Sequence, residues 1–120
     1  MLAVDDTDVF HRAIRTLLRA DPRLELVGEA NSGEHALEIA SSCDPHLVLM
    51  DVRMPGMGGL AATKQIKAKH PSTIVVLIST EHPSELPAEA STCGADALVW
   101  KSDLRPRALE AIWLKHRSDG

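Results

Sequence analysis

Aromatic residues are scarce in this chain of 120 residues: it has one phenylalanine, two tryptophans and no tyrosine. An aliphatic core is therefore expected. Cysteine is also scarce, since only Cys43 and Cys93 are present and they lie far apart in the sequence. Two distant cysteines form no disulfide framework, and we expect both to be reduced thiols that stay apart.

Long apolar runs are missing as well. The longest have four or five residues, which is too short to span a membrane. No charged and then apolar leader precedes the first pattern, so no secretory signal is expected and a cytoplasmic location is predicted. An excess of positive charge is also lacking, because 17 acidic and 13 basic residues give a net charge of −4. That balance argues against a nucleic-acid-binding surface on this segment.

What is present is a regular alternation of short apolar runs with stretches of helical periodicity. The predicted strands are residues 2–4, a segment with Leu24, Leu26 and Val27, and residues 47–50, 73–78 and 97–100. The predicted helices are residues 8–20, 33–43, 60–70, 84–93 and 105–117. In the fourth helix, Ser84 is the expected N-cap, Pro87 falls in the first turn, and Gly94 follows the C-terminal end. Asp21-Pro22 is expected to break the first helix.

Five strand-helix units in alternation predict one α/β domain over residues 1–120, with a parallel sheet and helices on both faces. Only four residues precede Asp5. A buried central strand is usually longer, and we therefore expect that the natural N-terminus has been trimmed.

Polar side chains stand where these apolar runs end. They are Asp5 and Asp6 after the first, Asp51 after the third, Ser79 at the end of the fourth, and Lys101 after the fifth. Because the carboxyl ends of parallel strands form one edge of a sheet, these groups are expected to meet there. Each alone has an ordinary explanation, such as an N-cap or a turn, but four strand ends carry these groups together.

Three carboxylates, an amine and a hydroxyl suit the binding of Mg²⁺ and transfer of a phosphoryl group to an aspartate. Mg²⁺ prefers oxygen ligands and keeps several waters. Asp51 is followed by a glycine-rich turn, which leaves room for a bulky group, so it is the predicted nucleophile. Lys101 would stabilise charge on the phosphoryl oxygens, and Ser79 would donate its hydroxyl to one of them.

These residues resemble the receiver domain of bacterial two-component response regulators. The matching pieces are Asp5-Asp6, Asp51, the turn Met54-Pro55-Gly56-Met57, Ser79, and Lys101 after Gly94-Ala95-Asp96-Ala97. The spacing also matches, with 45 residues from Asp6 to Asp51, 28 from Asp51 to Ser79 and 50 from Asp51 to Lys101. The resemblance implies a flavodoxin-like (βα)5 fold with strand order 2-1-3-4-5.

The resemblance also implies a partner and a metal site. A sensor histidine kinase would supply the phosphoryl group to Asp51. Asp6, Asp51 and the backbone carbonyl of Arg53 would bind Mg²⁺ directly, and Asp5 would do so through water. The domain would catalyse only its own phosphorylation and dephosphorylation.

Two phrases, Val27-Gly28-Glu29-Ala30 and Met54-Pro55-Gly56-Met57, most resemble receivers of the LuxR type, which precede a helix-turn-helix domain. DNA contact is then expected only through a domain following Gly120. If the native gene stops at Gly120, a single-domain phosphate shuttle is expected instead. The LuxR-type resemblance suggests a homodimer through the first and last helices, and the last helix has more apolar residues than one inward face needs.

One departure affects signalling. The resembled family usually has tyrosine or phenylalanine three residues before the lysine, and this chain has Leu98. Without that ring, we expect the change to appear in the fourth helix and in residues 82–84 before it. Arg53 and Glu81 stand two residues past Asp51 and Ser79, and we predict that they pair across the mouth of the site and slow dephosphorylation.

The sequence leaves two other functions open. Asp6-Thr7-Asp8-Val9 mimics the nucleophile motif of haloacid dehalogenase-type phosphatases, although the chain is short for that class and shows no later acidic pair. A receiver-like interaction module that is never phosphorylated is the second alternative. The six histidines show no metal-ligand spacing, so all are expected at the surface.

Overall fold

The computed structural model describes residues 1–19, 25–54 and 56–116. Its strands are β1 (Leu2–Val4), β2 (Gly28–Ala30), β3 (Leu47–Asp51), β4 (Ile74–Ser79) and β5 (Ala97–Trp100). Its helices are α1 (Asp8–Arg19), α2 (Gly33–Cys43), α3 (Gly58–Lys69) and α4 (Pro106–His116). Short 3₁₀ helices cover Pro83–Glu85, Ala88–Ser91 and Lys101–Asp103.

The five strands form one parallel sheet in the order β2-β1-β3-β4-β5. The predicted flavodoxin-like topology is confirmed. Strands β1, β3 and β4 are interior, and every residue in them is buried. The register pairs Asp51 with Ile78 and Ser79 with Trp100, so the last residues of neighbouring strands end at one edge of the sheet.

Successive side chains of the strands point to opposite faces of the sheet and pack into two separate apolar layers, as expected for strands covered on both faces. On one face, β-strand residues such as Met50 and Leu77 pack with Ala36 of α2 and Ile66 of α3. On the other face, residues such as Leu49 and Ile78 pack with Ile14 of α1 and Leu109 of α4. Among the buried apolar side chains of the described residues, Phe10 is the one aromatic ring, which agrees with the shortage of aromatic residues.

The turn between β3 and α3 depends on glycine. Gly56 and Gly58 have φ angles of 77° and 76°, a backbone conformation that residues with a Cβ rarely adopt. Gly59 has a different requirement, because a Cβ built on it would overlap the Asp51 carbonyl oxygen. Its amide donates to the Val52 carbonyl at 3.1 Å, which holds the start of α3 directly against the end of β3.

The predicted fourth helix is wrong. Residues 84–93 hold two 3₁₀ segments, Pro83–Glu85 and Ala88–Ser91, with i to i+3 hydrogen bonds such as Ala90 N–H to the Pro87 carbonyl at 3.0 Å. Pro87 has extended backbone, with φ −59° and ψ 155°. A proline disfavours helical geometry in the residue before it, and therefore no continuous helix passes this point. Ser84 is not an N-cap for such a helix, whereas Gly94 has the expected positive φ of 95°.

The second strand is also displaced from its predicted place. Leu26 and Val27 precede it, and the residues that pair with β1 are Gly28–Ala30. Pairing with Leu2 outweighs the poor strand propensity of glycine and glutamate, because propensity in sheets follows context. Leu24, the Asp21-Pro22 break, Ala20 and Arg117 lie outside the described residues. The other predicted strands and helices are confirmed within two residues at each end.

Cys43 is exposed and Cys93 is buried, and both are free thiols, as predicted. One histidine departs from its predicted surface position: His11 is 2% exposed. It lies on the α1 face that also carries Ile14 and Leu18. Within the described residues, no helix is long and apolar enough to cross a membrane.

The close approach at Gly59 gives a stability prediction. Gly59→Ala should lower the free energy of unfolding by about 1–3 kcal/mol, because the new methyl must displace a backbone carbonyl rather than a side chain. Denaturant unfolding measures it. The matched control is Gly28→Ala, whose methyl meets the Ile39 side chain at 3.1 Å instead of a backbone atom at 1.9 Å. An equal or smaller loss in Gly59→Ala than in Gly28→Ala would contradict the prediction.

Candidate functional site

Three carboxylates converge at the carboxyl edge of the sheet. One ligand oxygen from each of Asp5, Asp6 and Asp51 can be chosen so that all lie within 4.8 Å of one another. Asp5 and Asp51 are buried, and Asp6 is exposed. The end of β1 thus supplies two acidic groups and the end of β3 supplies the third, as the sequence predicts.

Lys101 joins this cluster from the residue after β5. Its Nζ donates to Asp5 Oδ2 at 2.6 Å and lies 3.7 Å from Asp51 Oδ2. The ammonium group also lies 4.7 Å from the centroid of the Phe10 ring, a favourable cation–π arrangement. One cation therefore offsets part of the repulsion between two buried carboxylates.

The two buried carboxylates differ in their protonation chemistry. Burial raises the pKa of Asp51 from 3.8 to about 6; the Lys101 cation opposes this rise, and the Asp5 charge adds to it. For Asp5, burial alone would raise the pKa, but hydrogen bonds from Lys101 and Thr7 outweigh it and leave the pKa below its usual value. Asp5 is therefore the firmly ionised member of the pair, and Asp51 is the one whose charge is poorly compensated.

Ser79 ends β4 beside this cluster and is 2% exposed. Its hydroxyl oxygen accepts a hydrogen bond from the Glu81 amide at 2.9 Å. The Glu81 carboxylate in turn pairs with the Arg53 guanidinium, including a hydrogen bond of 3.3 Å from Nη2 to Oε2. The predicted pairing of Arg53 with Glu81 is confirmed, whereas its effect on phosphate lifetime stays a prediction.

Sequence patterns missed three neighbours of the cluster. Thr7 donates to Asp5 Oδ1 from its hydroxyl at 2.7 Å and from its amide at 2.9 Å. His11 Nε2 donates to the Asp5 carbonyl at 2.9 Å. Phe10 supplies the ring under Lys101. The spacing of His11 with Ile14 and Leu18 was the available signal for its burial, because those positions share one helix face.

The turn after Asp51 is held by α2. Glu34 Oε1 accepts a hydrogen bond from the Met57 amide at 2.9 Å, next to the two glycines with positive φ. A cleft of about 400 Å³ opens beside this turn, and its walls include Arg53, Met54 and Leu60. The aspartates of the cluster are not among its walls, so this cleft flanks the turn rather than the carboxylates.

Residues 1–112 match the family described as the response regulator receiver domain. The chain belongs to this family. The response regulator GacA of Pseudomonas viridiflava is 36% identical over 114 residues, which are 95% of this chain and 53% of that protein. A protein-glutamate methylesterase/protein-glutamine glutaminase of Pseudoalteromonas atlantica is 35% identical over 113 residues, which are 93% of this chain and 28% of that protein.

Solved structures agree with the sequence comparisons. A LuxR-family two-component response regulator from Aurantimonas superimposes with a TM-score of 0.85 at 28% identity, covering 97% of this receiver and 85% of that chain. The receiver spans about half the length of GacA and about a quarter of the methylesterase. Receivers of this family therefore occur in longer proteins with unlike outputs.

The raised pKa of Asp51 predicts that its ionised carboxylate lowers the free energy of unfolding of the metal-free protein. The folded state holds the Asp51 proton more tightly than the unfolded state does. Ionised Asp51 therefore destabilises the fold: the full effect is present above about pH 6, it shrinks as the pH falls, and it is absent below pH 3.8. Asp51→Asn should therefore raise the free energy of unfolding by about 1–3 kcal/mol near neutral pH.

Urea unfolding with a chelator, repeated across this pH range, measures the effect. The difference between Asp51→Asn and the unmodified chain should disappear on acidification. Glu38→Gln, at an exposed position of α2, serves as the control and should change little. Equal stability of Asp51→Asn and the unmodified chain near neutral pH would contradict the assignment.

Proposed function

We propose that this receiver accepts a phosphoryl group on Asp51 from the phosphohistidine of a sensor histidine kinase, with Mg²⁺, in the cytoplasm. The carrying observation is the buried Asp51 carboxylate with Lys101 and two further carboxylates around it. The membership of the family supports the same reaction. In this function the domain catalyses only its own phosphorylation and dephosphorylation and switches a separate output.

The donor set fits Mg²⁺, because three carboxylates offer closely spaced oxygens and no soft ligand stands among them. Asp6, Asp51 and the backbone carbonyl of Arg53 would hold the ion directly. Asp5 would act through water, which agrees with its oxygens already being engaged by Lys101 and Thr7. When bound, Mg²⁺ would reduce the repulsion between the carboxylate and the incoming phosphoryl group.

The residues of the chain perform the remaining steps. An Asp51 oxygen attacks phosphorus and forms the new P–O bond while the P–N bond to the kinase histidine breaks, and the electron pair leaves with the imidazole. Lys101 lies close enough to stabilise the oxygens of the transferred group. Ser79 can donate its hydroxyl to one of these oxygens.

The output is proposed from the resemblance to LuxR-type regulators. A DNA-binding domain following this chain would make the longer protein a transcription regulator, and the net charge of −4 gives the receiver itself no such role. A homodimer through α1 and α4 would use exposed apolar side chains on both helices. Val9 on α1 and Leu114 on α4 are 77% and 53% exposed.

The test of the proposed function is incorporation of label from a small acyl phosphate in the presence of Mg²⁺. Asp51→Asn should reduce incorporation to background, because it removes the nucleophile. The matched control is Asp6→Asn, which lacks one proposed metal ligand, retains the nucleophile and should be labelled more slowly. Label lost only in Asp6→Asn would indicate the phosphatase alternative. No label in the unmodified chain would indicate an interaction module.

The pair of Arg53 and Glu81 predicts a longer phosphate lifetime. Its side chains would cover the line along which water attacks phosphorus opposite Asp51. Arg53→Ala and Glu81→Ala should each speed dephosphorylation by about two- to fivefold.

The double variant decides whether the two side chains act together. It should be no faster than the quicker single variant, because either truncation already opens the pair. Release of phosphate from purified phosphorylated protein measures the rates. Strictly multiplicative effects would show that the two residues act independently.

A further inference from the structure

The segment after β4 is attached to its surroundings at successive residues. The Ser79 hydroxyl accepts from the Glu81 amide, and Glu81 pairs with Arg53 beyond the end of β3. On the opposite side, the Thr80 carbonyl accepts a hydrogen bond of 3.0 Å from Trp100 Nε1. The segment is thus held between the end of β3 and the end of β5.

His82 adds a second contact with the same indole. The imidazole of His82 meets Trp100 in an edge-to-face arrangement, with ring centroids 5.7 Å apart and an interplanar angle of 77°. His82 Nδ1 is also 2.8 Å from the Ser84 hydroxyl at the start of the next 3₁₀ segment. The indole therefore touches residues on both sides of Glu81.

We propose that Trp100 couples the presence of a phosphoryl group on Asp51 to the exposed face of β5, which carries Leu98 and Trp100. The inference rests on the proposed phosphorylation of Asp51 and names the residue through which that event is passed on. Trp100 is a positioning residue here, because it contacts the segment that follows Ser79 rather than the reacting atoms.

The coupling follows from the hydrogen bonds. For Ser79 to donate to a phosphoryl oxygen on Asp51, its hydroxyl must turn toward β3. The Glu81 amide donates to that same oxygen, so it must follow the hydroxyl or lose its partner. The Glu81 N–H and the Thr80 carbonyl belong to one peptide group, so an amide that follows the hydroxyl rotates this peptide and pulls the carbonyl away from the indole N–H that donates to it.

The neighbouring position on β5 does not offer this connection. Leu98 and Trp100 are two residues apart and thus project from the same face of the strand, with similar exposures of 36% and 38%. Leu98 lies along a groove of about 390 Å³ whose walls include Leu86 and Ala90. Trp100 instead reaches the segment after β4. An aromatic ring is therefore available for switching, two residues later than the resembled family usually places it.

The consequence is a local change in an exposed apolar face. The indole is one of the largest exposed apolar side chains on the described part of the chain, and it sits at the edge of the sheet. When it loses the Thr80 carbonyl, its orientation over β5 changes together with His82. Residues 83–91 follow His82 along the chain, so a displacement of His82 is passed to them next.

The experiment follows the indole N–H of Trp100 by NMR in ¹⁵N-labelled protein, with Mg²⁺ alone and with Mg²⁺ plus beryllofluoride. Trp113→Phe identifies the signal, because the chain has two tryptophans. Beryllofluoride should shift the Trp100 signal and speed its exchange with water by about fivefold, the factor expected when one ordinary hydrogen bond is lost. Fluorine NMR of bound beryllofluoride measures occupancy separately.

Two substitutions separate coupling from structural effects. Trp100→Leu should retain labelling from the acyl phosphate within about threefold, a change smaller than one hydrogen bond usually contributes. The amide shifts that beryllofluoride causes in residues 80–84 should nevertheless be lost in this variant. Trp100→Phe keeps a ring but has no N–H donor, and it should give reduced shifts. Leu98→Ala, matched in strand face and exposure, should leave the shifts in place.

Each outcome decides the proposal. Bound beryllofluoride with an unchanged Trp100 indole signal overturns the coupling and leaves the proposed function standing. Loss of the residue 80–84 shifts in Leu98→Ala but not in Trp100→Leu overturns it as well. Failure of beryllofluoride and acyl phosphate to modify the unmodified chain overturns the proposed function, and the coupling falls with it.

Discussion

The rest of the site depends on how one lysine shares its charge between two buried carboxylates. Lys101 Nζ lies 2.6 Å from Asp5 and 3.7 Å from Asp51. Buried charges are costly unless they are paired and hydrogen-bonded, and here one cation must serve two anions. The closer carboxylate, which also receives two hydrogen bonds from Thr7, is stabilised in its ionised form. For the more distant one, burial raises the pKa further than the Lys101 charge lowers it. This is the carboxylate on which the proposed function places the phosphoryl group.

The sheet brings one lysine and two carboxylates together because its buried strands leave no place for charged groups except at their ends. Strands β1, β3 and β4 are covered on both faces and are apolar up to their final residues. Charged side chains therefore collect at the strand ends, where parallel strands finish together. Gly59 brings the start of α3 against the end of β3, and Glu34 holds the intervening turn. These contacts keep the peptide after Asp51 in place at the end of β3.

Signalling requires parts that are less firmly held. The regular structure in the stretch from residue 80 to residue 91 consists of two short 3₁₀ segments, with Pro87 between them. Segments of this kind rearrange at low free-energy cost. Contacts with Arg53 on one side and Trp100 on the other restrict how this stretch can move. In the proposed coupling, these contacts carry a displacement at Ser79 along the chain.

The sequence by itself determined the order of the elements and the residues at the strand ends, because hydrophobic periodicity and chain order are local properties. Position alone was enough to choose one cluster of residues, namely Asp5, Asp6, Asp51, Ser79 and Lys101. The parallel sheet brings the three carboxylates of this cluster within reach of one another. Tertiary structure alone decided which carboxylate Lys101 favours, that His11 is buried against the Asp5 carbonyl, and that Trp100 reaches Thr80. It also decided the start of β2, through pairing with Leu2. These features depend on contacts between residues distant in sequence, whose geometry no local pattern encodes. The interrupted fourth helix is a different case, since Pro87 was visible in the sequence and its effect depended on where the preceding turn began.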